Sequence, residues 1–199
     1  MTQAPTGQRA DSPEDRVVER ALVERAATDA DAFALLYRRH VREVYAFAYR
    51  RCGSREVAEE ATSAAFEKAL RAIGGFRWRE GGVRPWLLRI ASNEVADIYR
   101  RRSRMDGARG QMALRAMAPV EAEGPEAKVD LSALHAALDR LSERYRAVIS
   151  LRYLAGLSPA DAAAEMECST ATLAVVLHRA LNALRAEMAR ATDREGGVQ

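Results

Sequence analysis

The sequence predicts an all-α protein built from two small helical domains joined by a flexible linker. Apolar residues recur at helical spacing through residues 14–104 and again from 131 to 190. No run of alternating apolar and polar residues marks a strand. Between the helical stretches, residues 105–130 lose the periodicity. They carry Gly107, Gly110, Pro119, Gly124 and Pro125 among Glu121, Glu123 and Glu126, as an acidic linker does.

Residues 1–13, polar and holding Pro5 and Pro13, read as a disordered lead. Val17, Val18, Ala21 and Leu22 give a short amphipathic helix from Glu14 to Ala27, with no task legible in its sequence. Asp31 can cap the next helix, which turns Phe33, Leu36, Tyr37, Val41, Val44, Tyr45 and Ala48 inward until Gly53 and Ser54 end it. A helix from Arg55 to Ile73 turns Val57, Ala58, Ala61, Ala65, Phe66, Ala69, Leu70 and Ile73 inward. Glycine pairs frame the loop GGFRWREGG at residues 74–82. From Val83 or Arg84 to Arg104 a further helix buries Trp86, Leu87, Ile90, Ala91, Val95 and Ile98. Striped helices of this kind form a compact three- or four-helix bundle over residues 14–104.

The second domain spans residues 131–190, and residues 191–199 read as a disordered tail. Leu131, Leu134, Leu138 and Leu141 form one stripe, and Ser142 caps a helix carrying Tyr145, Val148, Ile149 and Leu151. Ser158-Pro159 pairs a capping hydroxyl with proline at the first helical position, and the helix it opens ends near Met166. After the turn Glu167-Cys168-Ser169, a long helix holds Leu173, Leu177, Ala180, Leu181, Leu184 and Met188. This is helix-turn-helix spacing, in which the last helix enters the major groove of DNA. An ordinary helical hairpin has the same pattern.

The net charge of +3 conceals an uneven distribution. Residues 33–105 carry sixteen basic and eight acidic groups, whereas residues 9–32 and 106–130 are both net acidic. A cationic first half suits a polyanionic partner. Tyr99-Arg100-Arg101-Arg102-Ser103-Arg104 closes one helix with four guanidinium groups, and Phe76, Trp78 and Trp86 lie in or beside the glycine-rich loop. Arginines neutralise phosphates and exposed aromatics stack on unpaired bases. The same arginines also favour a helix C-terminus, and tryptophans also pack in cores.

Several function classes are disfavoured. The three histidines, His40 beside a helix core, His135 on a helix surface and His178, have no second ligand or nucleophile at useful spacing, so no metal, cofactor or catalytic group is expected. Cys52 and Cys168 read as two reduced thiols. No stretch approaches the ~20 apolar residues of a membrane span, and no secretory leader opens the chain, so a cytoplasmic protein is expected.

Two longer runs carry a family resemblance over residues 30–190. FALLYRRHVREVYAFAYRRCGSREVAEEATSAAFEKALRAIGGFRW, continued by PWLLRIASNEVADIYRRR, resembles the sigma-2 domain of the extracytoplasmic-function sigma factors of RNA polymerase. LDRLSERYRAVISLRYLAGLSPADAAAEMECSTATLAVVLHRALNALR resembles their sigma-4 domain. The resemblance implies a non-enzymatic protein that directs core RNA polymerase to promoter DNA and is restrained by an anti-sigma protein. It implies that Glu60, Ser63 and Phe66 face the polymerase. Phe76, Trp78, Asn93, Asp97, Arg100 and Arg101 would meet the minus-10 element. Thr170, Thr172, Ala174, Val175, His178 and Arg179 would meet the minus-35 element.

The recognition segment departs from the family pattern. Many relatives carry a Lys-Ser-Arg run where this chain has Ala174-Val175-Val176, so two customary cations are missing. Helical geometry turns Val175 outward, where it would touch a thymine methyl or be covered by protein. Weak, shallowly salt-dependent DNA binding by this half is the expectation. Two rival readings stay open at this point: a helix-turn-helix regulator of another kind, and a sigma-like protein acting through protein contacts alone.

Overall fold

The computed structural model describes residues 12–115 and 131–196. Residues 1–11 of the expected lead (1–13), most of the expected linker (116–130) and residues 197–199 of the expected tail lie outside them, while residues 191–196 of that tail continue the last helix. Among the described residues there are helices and turns and no strand.

Helix α1 (Pro13–Arg25) starts where Ser12 Oγ accepts the Asp15 N–H at 3.1 Å and proline takes the first position. Its task, illegible in the sequence, is structural. Glu19 is buried, and its carboxylate meets His40 Nε2 at 2.6 Å and Arg39 Nε at 3.7 Å. The carboxylate also accepts the backbone N–H of Val83. One side chain therefore pins α1 both to α2 (Ala30–Cys52) and to Val83, the residue that precedes α4 (Arg84–Arg115). His40, expected beside a core, is part of that buried pair.

The cap of α2 is Asp29 and not Asp31. Asp29 Oδ1 accepts the N–H groups of Asp31 at 2.9 Å and Ala32 at 3.2 Å, the geometry of a residue just outside the first turn. Gly53 ends the helix in the left-handed region at φ 68°, and Ser54 then opens α3 (Arg55–Ala72) by capping Val57 N–H. Leu70, expected inward, is about half exposed. A 3₁₀ turn (Ile73–Gly75) leads into the loop, and α4 (Arg84–Arg115) extends eleven residues beyond the expected stop at Arg104.

The second half contains α5 (Leu131–Arg140), α6 (Glu143–Ile149), a π turn (Ser150–Leu154), α7 (Pro159–Glu165) and α8 (Thr170–Gly196). Ser142 and Ser158 cap α6 and α7 as their sequences predict. Ser169 caps α8 by accepting Thr172 N–H at 3.1 Å.

The sequence leads one to expect modules held apart by a loose tether, yet in the structure they also pack against each other. One apolar cluster runs from Val23, Leu36 and Phe47 through Val83, Leu87 and Leu88 to Leu138, Leu151, Leu157 and Leu173. A smaller cluster of Ala48, Val57, Ala61, Val95 and Ile98 seals the far end of α2, α3 and α4. Polar contacts join the halves along the seam. His135, expected at a free surface, donates from Nε2 to Arg50 O at 3.0 Å and lies over Gly53, where a Cβ would stand 2.7 Å from its ring. Arg51, wholly buried, reaches Asp139 Oδ1 at 3.2 Å. At the other end, Arg84 bridges Glu43 at 2.5 Å and Ala155 O at 2.8 Å.

Candidate nucleic-acid interface

Three surfaces gather the residues singled out from the sequence. The first is a groove of about 660 Å³ between α2 and α3, floored by Phe33, Val41 and Phe66 and rimmed by Tyr37, Tyr45 and Leu70. Tyr37 meets the Phe66 ring edge-on, with centroids 4.8 Å apart. Ser63 and Phe66 lie in this groove. Glu60 turns the other way, toward α4, where Arg101 Nη2 lies 3.1 Å and Arg102 Nη2 3.3 Å from its oxygens. The acids that do line the groove are Glu59 and Glu67, which sequence reading missed. An apolar trough with an acidic rim suits a helical partner that carries both apolar and basic side chains.

The second surface is the loop after α3. Phe76 packs edge-on to Trp78 at 6.5 Å and tilted against Trp86 at 5.1 Å. All three rings are half-buried, so they are held in place yet keep an accessible face. Gly82 adopts φ 69°, which bends the loop back toward α4 and lets the tip of Trp78 lie over it. Asn93 is half-buried on α4. One turn on, Asp97 pairs with Arg100 and lies 3.8 Å from Lys68 Nζ. The Arg100 hydrogen bond, helped by the charges of Arg100, Lys68 and Arg101, holds the Asp97 carboxyl below the usual range against the opposing effect of burial. Arg100 also reaches Glu143 at 3.0 Å on the other half. Arg100, Arg101 and Arg102 thus face outward already paired with carboxylates. Such exposed pairs contribute about 0–1 kcal/mol each, so phosphates can displace them.

The third surface is α8. Leu173, Val176 and Ala180 are buried, while Thr170, Thr172, Ala174, Val175, His178 and Arg179 are all exposed. The helix therefore presents those six residues on its outer side and its apolar stripe to the core. Because Val176 is buried, the cation lost from an outward position is the one at Ala174. Asn182 donates from Nδ2 to His178 Nε2 at 3.1 Å and accepts from Arg185 at 2.7 Å. Thr172 Oγ1 lies 2.9 Å from Ser169 Oγ, which fixes the first turn.

Sequence reading missed the arginines that bind the halves together, Arg51, Arg79, Arg84 and Arg89. Each looks like an ordinary surface charge in one dimension. Among the described residues no group of three or more His, Cys, Asp or Glu side chains could hold a metal, and no helix is long and apolar enough to cross a membrane.

Comparison with known proteins agrees with this geometry. Sigma-70 region 2 matches residues 36–105, and Sigma-70, region 4 matches residues 131–184. The ECF RNA polymerase sigma factor BldN of Streptomyces coelicolor is 37% identical over 182 residues, spanning 88% of this chain and 67% of that protein. SigE of Mycolicibacterium smegmatis, another ECF sigma factor, is 30% identical over 165 residues, spanning 78% and 61%. Among solved structures, CnrH in complex with the cytosolic domain of CnrY superposes with a TM-score of 0.56 at 23% identity, covering 89% of this chain and 98% of that one. The sigma factor RpoE bound to the anti-sigma factor NepR from Bartonella quintana gives 0.51 at 26% identity, covering 78% and 96%. With both regions matched in order and a relative this similar, the chain belongs to the extracytoplasmic-function family of RNA polymerase sigma factors.

Proposed function

We propose that this chain seats core RNA polymerase on the α2–α3 groove and carries it to promoters. Phe76, Trp78 and Trp86 take an unstacked base of the minus-10 element, with Asn93 and Asp97 beside them. Arg100 and Arg101 hold the adjoining phosphates. The outer side of α8, from Thr170 to Arg179, reads the minus-35 element. Residues 14–104 and 131–190 act as the two binding domains, the segment between them spanning the distance along the promoter. The chain catalyses nothing itself and works in the cytoplasm, where the polymerase works.

The observation that carries this reading is that all six outward residues of the helix-turn-helix helix and the aromatic–arginine surface occur in one chain. A repressor would need the first without the second. Two solved structures of similar chains are complexes with anti-sigma or cytosolic partner domains, which supports restraint of this chain by an anti-sigma protein. Run-off transcription with purified core polymerase, followed by mapping of start sites, tests the reading. Defined start sites that vanish with Trp78→Ala and Arg179→Ala are expected. Polymerase binding without any defined start site would favour the alternative that the missing Ala174 cation suggests, a protein acting through protein contacts alone.

A further inference from the structure

Where the end of α2 meets α5, two guanidinium groups share one carboxylate. Arg51 Nη2 lies 3.2 Å and Arg146 Nη1 3.5 Å from the same Asp139 Oδ1. Arg146 also donates from Nη2 to Leu141 O at 3.1 Å. The side chain of Arg51 is 0% exposed and that of Arg146 10%. Arg51 Nε, Arg51 Nη1 and Arg146 Nε nevertheless have no hydrogen-bond partner among the described residues. Ser150 Oγ, buried and unpartnered too, follows Arg146 by four residues and so lies on the same side of the helix.

Orphaned donors alone call for water, but a surplus of charge calls for a counter-charge. A guanidinium group does not give up its proton in a protein, so the buried set holds two positive charges against one negative. At the solvent-exposed edge Arg100 and Glu143 pair with each other at 3.0 Å, and Asp97 is engaged by Arg100 and Lys68, so these carboxylates are already matched. Burial first, then Arg51, lowers the Arg146 pKa, in keeping with a local excess of cations. An unmatched charge out of water is among the costliest groups a fold can carry.

We propose that this seam is a binding site for one small monovalent anion of the chloride class, seated against Arg51 Nε and Nη1, Arg146 Nε and Ser150 Oγ. One negative charge matches the surplus, whereas a divalent anion such as phosphate would reverse it. The three nitrogens donate and cannot accept, which is the donor set a bare anion needs. Water in the same place would satisfy the hydrogen bonds and leave the charge. Arg51 belongs to one half of the chain and Asp139 and Arg146 to the other, so the site exists only where the halves are packed together. The anion therefore stabilises the folded chain by mass action. The site uses none of the surfaces assigned above to polymerase or DNA and does not depend on that assignment.

The test is urea unfolding of the full chain while sodium chloride replaces sodium gluconate at constant ionic strength. Gluconate carries the same charge and is too bulky for a closed seam. Once chloride exceeds its dissociation constant, the unfolding equilibrium constant of the parent should fall about tenfold for each tenfold rise in chloride, one ion per chain. Arg51→Met, which leaves Arg146 and Asp139 one to one, should show no such fall. Arg20→Met, an equal loss of charge at an exposed pair on α1, should respond as the parent does. The width of the chloride NMR line gives a readout without unfolding, and the parent should broaden it beyond Arg51→Met. Equal chloride responses in parent and Arg51→Met, or equal line widths, overturn the proposal and leave water as the occupant. If Arg51→Met does not fold, Arg146→Met leaves the same one-to-one pair from the other side and is read in its place.

Discussion

Replacing Arg51 by methionine should stabilise this protein, whereas neutralising its partner Asp139 should destabilise it. Arg51 is wholly buried and makes one hydrogen-bonded ion pair, to Asp139. Arg146, also buried, approaches the same carboxylate at 3.5 Å and donates to Leu141 O. Two cations thus share one anion, and Arg51 Nε, Arg51 Nη1 and Arg146 Nε have no hydrogen-bond partner. Burial first, then repulsion from Arg51, lowers the Arg146 pKa. Each unsatisfied buried donor costs about 1–3 kcal/mol. Methionine keeps much of the Arg51 stem, removes two orphaned donors and leaves Arg146 and Asp139 as a one-to-one pair. We expect a gain of about 1–3 kcal/mol, in the range found when buried ion pairs give way to apolar residues. For a chain of this size that corresponds to a rise in Tm of roughly 2–4 °C per kcal/mol. Asp139→Asn strips both guanidinium groups of their shared counter-charge. A loss of about 2–4 kcal/mol is expected, the lower part of the range for breaking a buried pair, because Asp139 is partly solvent-exposed. Urea unfolding at neutral pH measures both. A destabilised Arg51→Met, or an unaffected Asp139→Asn, would refute the account of an over-charged seam.

Glu19→Gln should cost about 1–3 kcal/mol at pH 7 by leaving His40 and the Val83 N–H poorly matched. Burial alone would raise the Glu19 pKa, but the His40 hydrogen bond and the charges of His40 and Arg39 bring it below its ordinary 4.5. Its contribution should therefore be fully present above pH 4.5 and fade as pH falls through the lower folded value. A parent-minus-variant difference that grew on acidification would contradict this. Trp78→Ala should weaken open-complex formation by about 1–3 kcal/mol, the scale of one base stacked on an aromatic ring, while leaving polymerase affinity unchanged in a pull-down. Loss of both together would assign Trp78 to packing. In DNA binding by residues 131–190 the salt slope should be shallower than −5, and Arg179→Ala should reduce it by about 1. A slope of −5 or steeper would show that Ala174 costs the helix no phosphate contacts.

What the sequence made legible was whatever depends on neighbours along the chain. Helical periodicity placed α2, α3, α6 and α8, and Ser142 and Ser158 announced their caps through the residues that follow them. The six residues of α8 followed from the family resemblance and the outward turn of Val175 from angular position, and Val175 is exposed. Misplacements arose where two residues could serve equally by local rules. Asp29 and Asp31 are both good caps, and only backbone geometry selects Asp29. Leu70 continues the apolar stripe of α3 but stands on the groove rim, where none of the described residues covers it. The seam between the halves was illegible for a stronger reason. Arg51 and Glu165 are ionisable residues that are nevertheless buried, and their partners, Asp139 and Arg79, lie on the opposite half, 88 positions away in the case of Arg51. Gly81 reads as a loop glycine until the approach of Asp161 is known.

The placement of Glu60 has a thermodynamic corollary. A single carboxylate on α3 is shared by Arg101 and Arg102, guanidinium groups on the side expected to meet nucleic acid. Any ligand that draws Glu60 toward itself releases Arg101, while Arg102 keeps Glu56 at 2.8 Å, and any polyanion that captures Arg101 releases Glu60 from that pair. The two affinities are then tied by one coupling free energy of equal size in either direction. With an exposed pair contributing about 0–1 kcal/mol, that coupling spans up to roughly a fivefold change.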